Sequence, residues 1–551
     1  MGLVSSGKRP AWLLFCGALL AGYALALFHH TSFAVGGSDS SGYLNAARLF
    51  ASGRSFERVP GLEKLGLQPE LARIFIPLGY SPGPRPGTMA SSYPPGLPLH
   101  MALAALLSGW AKAPFFVSPL AGLACVVLVY LLGRELQLPP AFSFAGSVLL
   151  AFFPTFVSLT LQPMSDVVAA AWALAAVYAA WKSRARNGAA WAALAGLAYG
   201  IGVLVRPTNL LILAPLLFAL PPRPRTWLTF IAGGIPAALI LLGYNAALFG
   251  SPWATGYGSL LREGMAWANF SGRARHYGYW IARLLTPLLP IGWLGLVGDR
   301  RAPLRDRLAL LSWFGSFFLF YAFYGPYEAW WYTRFLLPGV PALILGACVV
   351  ARDVLLPAGR SRPAPWATAA AFVLLAAALF VELDFTEKRR VHKLYKSDRV
   401  YPQACAMARR RLPSNAIVVS MQMSGALHYY SDLTYAMWNW LPPERFGELR
   451  ASTESRGYRW YALLAPFEQE EVRKNLPGDW REIDRVAEVA LWELPPVWPA
   501  GGPRGHRHRS EGSPAKRDPS GLRPSGWRRG GSRPQDDSGG VPASRRVPTK
   551  T

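Results

Sequence analysis

Cysteine is scarce in this chain, and the positions of the few that occur exclude a disulfide-stabilised fold. The 551 residues include 4 cysteines. Cys16, Cys125 and Cys348 fall within long apolar segments, and Cys405 stands alone in a polar region. Cysteines distributed in this way provide no disulfide framework.

The sequence also lacks a glycine-rich phosphate loop of either common kind. Neither the Rossmann fingerprint nor the Walker motif occurs, so no motif for a soluble nucleotide-sugar fold is present. Charged residues make up 16% of the chain, and the net charge of +26 arises largely from short loops between apolar segments and from a basic tail. This distribution does not indicate a nucleic-acid partner.

Long apolar segments recur along most of the sequence, and their number predicts an α-helical polytopic membrane protein. Hydrophobic residues make up 52% of the sequence, and roughly 17–25 apolar residues suffice to cross a bilayer. The first segment follows Lys8 and Arg9 and has no small-residue cleavage site after it, which predicts a retained signal anchor. About eleven transmembrane helices are predicted, at 11–28, 114–133, 140–160, 164–181, 188–205, 208–221, 226–248, 281–298, 306–324, 334–351 and 365–383.

Lysine and arginine cluster in every second gap between these segments, which predicts the orientation of the chain. Such clusters mark cytoplasmic loops, whereas the short gaps 161–165 and 325–333 contain no Lys or Arg. The apolar segment 96–110 is too short for an untilted crossing, and counting it as a span would invert the alternation. We therefore predict that it lies in the outer interface or re-enters, and that the C-terminal region is extracytoplasmic.

The chain divides into a membrane module, an outer domain and a tail. Residues 1–384 form the predicted transmembrane module, whose first outer loop at 29–112 contains the interfacial helices. Residues 496–551 are rich in Gly, Pro, Ser and Arg, which predicts a disordered basic tail.

Residues 385–495 are predicted to form a small extracytoplasmic α/β domain. They contain no metal cluster, nucleophile elbow or glycine-rich phosphate loop, so a lid or an acceptor-docking role is favoured over a second catalytic unit. The pattern predicts a helix at 400–412 and strands at 416–421, 458–465 and 489–494.

Two aspartates stand at the outer ends of apolar segments. Asp39 follows the first predicted span in the stretch GGSDSSGYLNAARL, and Asp166 opens the fourth span. An aspartate at such a position commonly caps a helix, which stabilises the helix by about 1 kcal/mol. A carboxylate that faces a surface cavity is equally suited to take a proton from an acceptor. For Asp39, spacing alone does not decide between helix capping and a role as a base. For Asp166, it does not decide between helix capping and a catalytic or metal-binding role.

Tyr93, Pro94, Pro95 and Gly96 open the short apolar segment at 96–110. Proline is common at the first position of a helix, so the motif is typical of a helix start. The double proline also fixes the turn rigidly and places Tyr93 to contact a lipid headgroup.

Arginines lie beside broken helices in several outer gaps. Arg206 begins the turn Arg206-Pro207-Thr208-Asn209, Arg273 and Arg275 follow the stretch FGSPWATGYGSLL, and Arg334 follows an aromatic run. An arginine at a helix end can snorkel to the interface, but its guanidinium also grips a phosphate through two hydrogen bonds. The aromatic rings beside Arg334 fit either an interfacial belt or packing against a sugar or an isoprenoid.

The order of these motifs resembles the GT-C superfamily of polytopic glycosyltransferases. The likeness is to the family 39 group, which contains protein O-mannosyltransferases and bacterial lipid A aminoarabinose transferases. Two departures from that pattern are Ser40, where a second acid often follows the first, and Tyr93, where Lys or His often precedes the double proline. The resemblance covers 11–350 and rests on Asp39, Tyr93-Pro94-Pro95-Gly96, Ser165-Asp166, Arg206-Pro207-Thr208, the stretch from Asn245 to Tyr257, and Arg334-Phe335-Leu336-Leu337-Pro338.

The resemblance implies a glycosyltransferase of the bacterial cytoplasmic membrane. It would move a sugar, with inversion, from a polyprenyl-phosphate donor to a lipid, glycan or protein acceptor at the outer face. Asp39 is implied as the base and Asp166 as a second catalytic acid, and the two are implied ligands of a divalent metal ion, the one cofactor expected. The other expected partners are membrane lipids. The expected substrate-binding residues are Tyr43, Tyr93, Pro94, Pro95, Arg206, Tyr257, Arg273, Arg275 and Arg334.

A lipid-linked sugar transporter or flippase, and an O-antigen ligase-like enzyme, are the alternatives. Coupled transport usually places ionisable groups near the bilayer centre, where they are costly. Asp166, Arg206 and Arg334 stand instead at the ends of apolar segments. This position favours chemistry at the membrane surface.

Overall fold

The computed structural model describes residues 8–185, 188–258, 264–325, 329–356 and 365–496. The predicted disordered tail lies outside these residues from position 497 onward. Within the described part the chain is mainly helical, with a small three-stranded sheet in the predicted first outer loop and a five-stranded sheet near the C-terminus.

The helices follow the alanine- and leucine-rich segments, because these residues have high helix propensity. Proline stands in the first turn of several of them, for example Pro140, Pro154 and Pro224, where its missing N–H costs nothing. The helices of the membrane module are α1 (Lys8–His30), α2 (Asp39–Ala51), α3 (Pro60–Leu65), α4 (Gly96–Ser108), α5 (Val117–Glu135), α6 (Pro140–Phe152), α7 (Pro154–Thr160), α8 (Ser165–Lys182), α9 (Gly188–Val205), α10 (Leu213–Ala219), α11 (Pro224–Phe249), α12 (Phe270–Leu285), α13 (Leu288–Gly295), α14 (Leu304–Ala322), α15 (Val340–Leu355) and α16 (Pro365–Lys388).

Five helical segments in the described part of the chain are long and apolar enough to cross a membrane. The bent pair α6 and α7, which meet at 64°, makes a sixth if it is one span. The prediction of a mainly helical, multi-span protein is confirmed, whereas the count of eleven stays a prediction, because the other segments are shorter or less apolar. The five are Ala113–Glu135, Gly188–Val205, Pro224–Phe249, Trp330–Leu355 and Pro365–Lys388.

The predicted single span at 281–298 is wrong, because the chain breaks there into two helices. Helix α12 ends at Leu285, and α13 begins at Leu288. Thr286 between them has a φ of 63°, and Pro287 has no N–H to donate to a helix that continued through it. The segment is apolar on both sides of the break, and Pro287 interrupts the helix.

The C-terminal region contains a mixed sheet flanked by helices. The strands have the order β5-β4-β6-β8-β7, with β4 parallel to β5 and β6, and β8 antiparallel to β6 and β7. The strands predicted near 416, 458 and 489 and the helix predicted at 400–412 are confirmed, whereas β5 and β7 were not predicted. The elements are α17 (Leu394–Asp398), α18 (Val400–Arg411), β4 (Ala416–Val419), α19 (Ser424–Tyr430), β5 (Thr434–Ala436), α20 (Pro443–Glu454), β6 (Arg459–Leu464), α21 (Pro466–Asn475), β7 (Arg481–Val486) and β8 (Val489–Leu494).

The first outer loop packs against this C-terminal sheet. Its strands β1 (Phe56–Arg58), β2 (Tyr80–Pro82) and β3 (Thr88–Ser91) form an antiparallel sheet in the order β1-β3-β2. Buried Phe75 of the loop belongs to the same hydrophobic cluster as Ile417 and Trp460. The two regions therefore share one core, which fixes the loop against the sheet. The predicted domain boundaries stay a prediction.

Candidate active site

A cavity of about 1060 Å³ lies between the helical part and the shared unit of loop and C-terminal sheet. Two of its sides, the helix wall and the loop wall, come from different parts of the chain. The helix wall consists of Asp39, Tyr43, Ser165, Arg206, Phe320, Tyr321, Arg334 and Phe335, and the loop wall consists of Arg73, Ile76, Tyr80, Met437, Asn439 and Trp440.

Asp166 lies directly behind the helix wall and organises it. Its carboxylate is completely buried and does not line the cavity. The Arg334 side chain donates from Nε to Oδ1 at 3.0 Å and from Nη2 to Oδ2 at 2.7 Å, and Arg206 donates from Nη1 to Oδ1. Because a lone buried charge is costly, each guanidinium depends on this carboxylate for compensation.

Asp39 is the carboxylate that reaches the cavity. Its side chain is 27% exposed, and Oδ2 forms an ion pair with Nη2 of Arg334 at 2.8 Å. The Tyr93 hydroxyl donates to Oδ1 at 2.7 Å. Arg334 therefore joins the two aspartates, although they come from segments more than a hundred residues apart.

Neither aspartate caps its helix. Asp39 is the first residue of α2, Asp166 lies in the first turn of α8, and neither helix has a side-chain capping hydrogen bond. Both carboxylates point to guanidinium groups instead. The capping interpretation left open by the sequence is therefore wrong for both residues.

Three tyrosines surround Asp39. The rings of Tyr43 and Tyr93 lie 4.5 Å apart, and Tyr257 meets Tyr93 edge to face at 5.9 Å. Burial, followed by the charge of Asp39, holds the pKa of Tyr93 well above its usual value of 10.0. Burial likewise raises the pKa of Tyr43 and of Tyr257. These hydroxyls stay protonated and can donate hydrogen bonds at physiological pH.

Two glycines allow the segments of the helix wall to approach closely. A Cβ on Gly96 would lie 2.4 Å from the backbone nitrogen of Val205, so only glycine lets the start of α4 touch the end of α9, beside Arg206. A Cβ on Gly42 would lie 2.4 Å from the ring of Tyr93. These contacts explain why the Tyr-Pro-Pro-Gly motif and the Arg-Pro turn belong to one site.

Arg206 adopts an extended backbone between α9 and the 3-10 helix Pro207–Ile212. Its guanidinium lies 5.6 Å from the ring centre of Phe335, which stacks on Tyr321 with centroids 4.9 Å apart. The proline after Arg206 prevents α9 from continuing. The side chain is thereby directed at Asp166 and the cavity rather than at the surface.

Not every predicted site residue lines this cavity. Tyr43, Tyr93, Arg206, Tyr257 and Arg334 line it together with Asp39. Pro94 and Pro95 shape the turn behind Tyr93 instead, with Pro95 as the residue that precedes α4. Arg273 and Arg275 are not among the lining residues, because they lie on the amphipathic helix α12, and Arg275 is exposed on it. The predicted role of these last two in substrate binding stays a prediction.

The loop wall contains residues that sequence analysis missed. Arg73 lies with its guanidinium carbon 3.5 Å from the ring centre of Trp440, and Asn439 and Tyr80 also line the cavity. No motif marks these positions in the sequence. The one available signal was the prediction that the C-terminal region acts as a lid or as a docking domain.

The paired aspartates do not fit a divalent metal in this arrangement. Arg334 lies between the carboxylates and forms ion pairs with both. Within the described part of the chain, no group of three or more His, Cys, Asp or Glu residues could hold a metal ion. No step proposed below therefore involves a metal, and the expected metal ion stays a prediction.

Comparison with known proteins agrees with this architecture. Residues 92–246 match the family described as dolichyl-phosphate-mannose-protein mannosyltransferase. Over these residues the chain is similar to that family of glycosyltransferases. The predicted GT-C resemblance and the prediction of a membrane glycosyltransferase that uses a polyprenyl-phosphate-linked sugar are confirmed.

The fold is similar to that of ArnT from Cupriavidus metallidurans. The apo structure of ArnT has 14% identity and a TM-score of 0.54, with 88% of this chain and 98% of ArnT covered. The structure bound to undecaprenyl phosphate has 12% identity and a TM-score of 0.53, with 90% and 99% covered. The mycobacterial arabinofuranosyltransferase AftD has 14% identity and a TM-score of 0.50, with 87% of this chain but 41% of AftD covered. No curated protein matches the chain in sequence.

Proposed function

We propose that this protein transfers a sugar from a polyprenyl-phosphate donor to a lipid, glycan or protein acceptor at the outer face of the bacterial cytoplasmic membrane, with inversion at the anomeric carbon. The C-terminal region would lie on the same, extracytoplasmic side. The observation that carries this proposal is the meeting of two carboxylates and two guanidiniums from four distant segments at one cavity, with only Asp39 of the two acids exposed to it.

The two arginines would receive the phosphate of the donor. Arg206 and Arg334 both line the cavity and are held in place by Asp166. As the phosphate departs it gains negative charge, and a fixed donor aimed at such a charge contributes about 2.7–4 kcal/mol. The likeness to ArnT, which has been solved with undecaprenyl phosphate bound, supports a polyprenyl phosphate as the group received.

Asp39 would act as the general base. The acceptor oxygen or nitrogen attacks the anomeric carbon, the bond from that carbon to the phosphate oxygen breaks, and the acceptor proton passes to the Asp39 carboxylate. The products are the glycosylated acceptor and the free polyprenyl phosphate. Because one displacement occurs on the side opposite the leaving group, the configuration inverts.

Asp166 would serve as a positioning residue rather than as a second base. It lies behind the arginines, fully buried, and its oxygens already accept hydrogen bonds from both. A carboxylate in this position keeps two like charges close together in a partly buried site. The arginines are then ready for the phosphate before it arrives.

A flippase for lipid-linked sugars is the alternative function. Transfer of radiolabelled sugar from polyprenyl-phosphate donors, measured with the purified full chain in detergent micelles, separates the two, since flipping requires an intact bilayer. Mass spectrometry of glycolipids and glycoproteins from cells with and without the protein would first identify sugar and acceptor. Transfer in micelles is the expected result, and movement of the donor across proteoliposomes without any transfer would overturn the proposal.

A further inference from the structure

We infer that Thr155 is a positioning residue for Arg334, which it holds in place through a buried hydrogen bond to Thr333. This role rests on the proposed function, in which Arg334 receives the phosphate of the donor. Three features of the described structure support it: an unusually long 3-10 helix that carries Arg334, a pair of buried threonines, and the break between α6 and α7.

Arg334 lies on a 3-10 helix of ten residues, Trp330–Gly339. Helices of this type seldom exceed three or four residues, and they turn by about 120° per residue against about 100° in an α-helix. Thr333 is completely buried and does not line the cavity, whereas Arg334 lines it and forms ion pairs with both aspartates. Relaxation to an α-helix would turn the two side chains by about 20° relative to each other, which reaches the limit of about 10–20° that a preorganised site tolerates. Buried Trp313 fixes the far end of the helix, since its Nε1 donates to the carbonyl of Pro338 at 2.8 Å.

A pair of buried threonines fixes the near end, at the residue before Arg334. The hydroxyl of Thr333 donates to the carbonyl of Trp330 at 2.8 Å. A hydroxyl has one proton, so the hydroxyl of Thr155 is the donor in its 2.6 Å hydrogen bond to the Thr333 oxygen. Both threonines are completely buried, where a polar group that loses its partner is costly. The conformation beside Arg334 therefore depends on a side chain from another helix.

The break between α6 and α7 brings Thr155 to this position. The two helices meet at 64°, and Pro154 at the start of α7 has no N–H with which to continue α6. In a continuous helix the N–H of Thr155 would donate to the carbonyl of Ala151. The hydroxyl of Tyr23 donates to that carbonyl instead, at 2.8 Å. The break is thus compensated by a side chain from α1, and α7 packs on the 3-10 helix.

A double-mutant cycle separates positioning from a general loss of structure. Thr155→Val keeps the shape of the side chain and removes its hydroxyl, and Thr155→Ser restores a donor. Thr160→Val is the matched control, because Thr160 is equally buried on α7 but donates within that helix, to the carbonyl of Phe156 at 2.7 Å. Each variant is made in wild type and in Arg334→Gln, and sugar transfer and binding of undecaprenyl phosphate are measured with the full chain in detergent micelles.

We expect Thr155→Val to lower the transfer rate about tenfold, the effect of one lost buried hydrogen bond, and to weaken the binding of undecaprenyl phosphate. In the Arg334→Gln background it should lower transfer no further, because the two residues act through one interaction. Thr155→Ser and Thr160→Val should stay near wild type. General destabilisation would lower transfer equally in both backgrounds, so an equal loss with and without Arg334 would overturn the role. A rate near wild type for Thr155→Val, or the same loss in Thr160→Val, would also overturn it.

The rate at which phenylglyoxal modifies Arg334, followed by mass spectrometry of peptides, provides a readout that does not require transfer. Modification should be faster in Thr155→Val than in wild type or Thr160→Val, because a misplaced guanidinium leaves its ion pairs. Equal modification in Thr155→Val and Thr160→Val would overturn the positioning role. If the wild-type chain transfers no sugar, the proposed function fails, and faster modification of Arg334 in Thr155→Val would still support the positioning role.

Discussion

The helix wall and the loop wall face the same cavity, but their arginines differ in whether they form ion pairs. On the helix wall every guanidinium is paired, and Arg334 is shared by Asp39 and Asp166. On the loop wall Arg73 stacks on Trp440 and has no carboxylate in an ion pair within the described part of the chain. Paired, buried charges hold a fixed geometry for chemistry, whereas an open charge on an aromatic ring is suited to recognition. Under the proposed function, the paired charges of the helix wall suit catalysis, and the open charge of the loop wall suits contact with a ligand.

The largest effect is expected at Asp39, the acid of the helix wall that reaches the cavity. Asp39→Asn should lower the rate of sugar transfer at saturating substrates by about 10²–10⁴-fold, the usual contribution of a general base. Polyprenyl-phosphate binding should change little. Steady-state transfer of labelled sugar in micelles measures the rate, with the exposed Asp479→Asn as control. A rate within about threefold of wild type would remove Asp39 from this role.

Substitution of Asp166 is expected to lower the stability of the fold, whereas substitution of Asp39 is not. Asp166→Asn leaves Arg206 and Arg334 without their buried counter-charge, and breaking a buried pair costs about 3–5 kcal/mol. The melting temperature in detergent should therefore fall markedly, whereas Asp39→Asn, whose side chain is partly exposed, should melt near wild type. Equal melting temperatures for the two variants would contradict the distinction between a positioning acid and a reacting acid.

The arginines of the helix wall should affect donor binding and rate together. Arg206→Gln and Arg334→Gln each remove one donor to the phosphate, which corresponds to a loss of about 10²–10³-fold in transfer rate. Binding of undecaprenyl phosphate should weaken as well. Arg485→Gln, which removes a surface arginine of the C-terminal sheet, serves as the control. Unchanged affinity for undecaprenyl phosphate in both variants would place the donor elsewhere.

A smaller effect is expected at Tyr93, which donates to Asp39. Tyr93→Phe should slow transfer about tenfold, because a partly exposed hydrogen bond to a charged group contributes about 1.5 kcal/mol, the lower end of its usual range. Burial holds the pKa of Tyr93 well above 10.0, so the hydroxyl keeps its proton as the pH rises to 9. The transfer rates of wild type and Tyr93→Phe should therefore depend on pH in the same way between pH 7 and 9. An inflection that is present in wild type and absent in Tyr93→Phe would show that the hydroxyl loses its proton in this range.

Sequence patterns predicted much of the helix wall and the tyrosines beside it, because these residues belong to recurrent motifs. Asp39, Tyr93, Arg206, Tyr257 and Arg334 were all expected at one site, and they line one cavity. Spacing could not decide between capping and chemistry for the aspartates. That choice depends on where the guanidiniums lie, and these come from distant helices.

The loop wall could not be predicted, since it depends on a long-range contact. Arg73 lies in the first outer loop and Trp440 in the C-terminal region, and the hydrogen bond between Met437 and Ile74 brings their segments together. Neither segment carries a motif. Arg273 and Arg275 do not line the cavity, and their helix leaves Arg275 exposed, so their role in substrate binding stays a prediction.

The fold was predictable where apolar patterns are long and continuous. Strands β4, β6 and β8 follow buried apolar runs and were found near their expected positions. Strand β7 has the charged sequence REIDRV and lies at the edge of the sheet, where an apolar pattern is not needed. Such edge strands carry little of the periodicity on which a sequence prediction depends.

The anomeric configuration of the product tests the central claim most directly. The helix wall exposes one carboxylate to the cavity, Asp39, so the reaction should proceed by a single displacement assisted by one base. NMR of the glycosylated product, compared with the polyprenyl-phosphate donor, should show the opposite configuration at the anomeric carbon. Retention of configuration would require two displacements, and it would contradict the assignment of Asp39 as the base in a direct transfer.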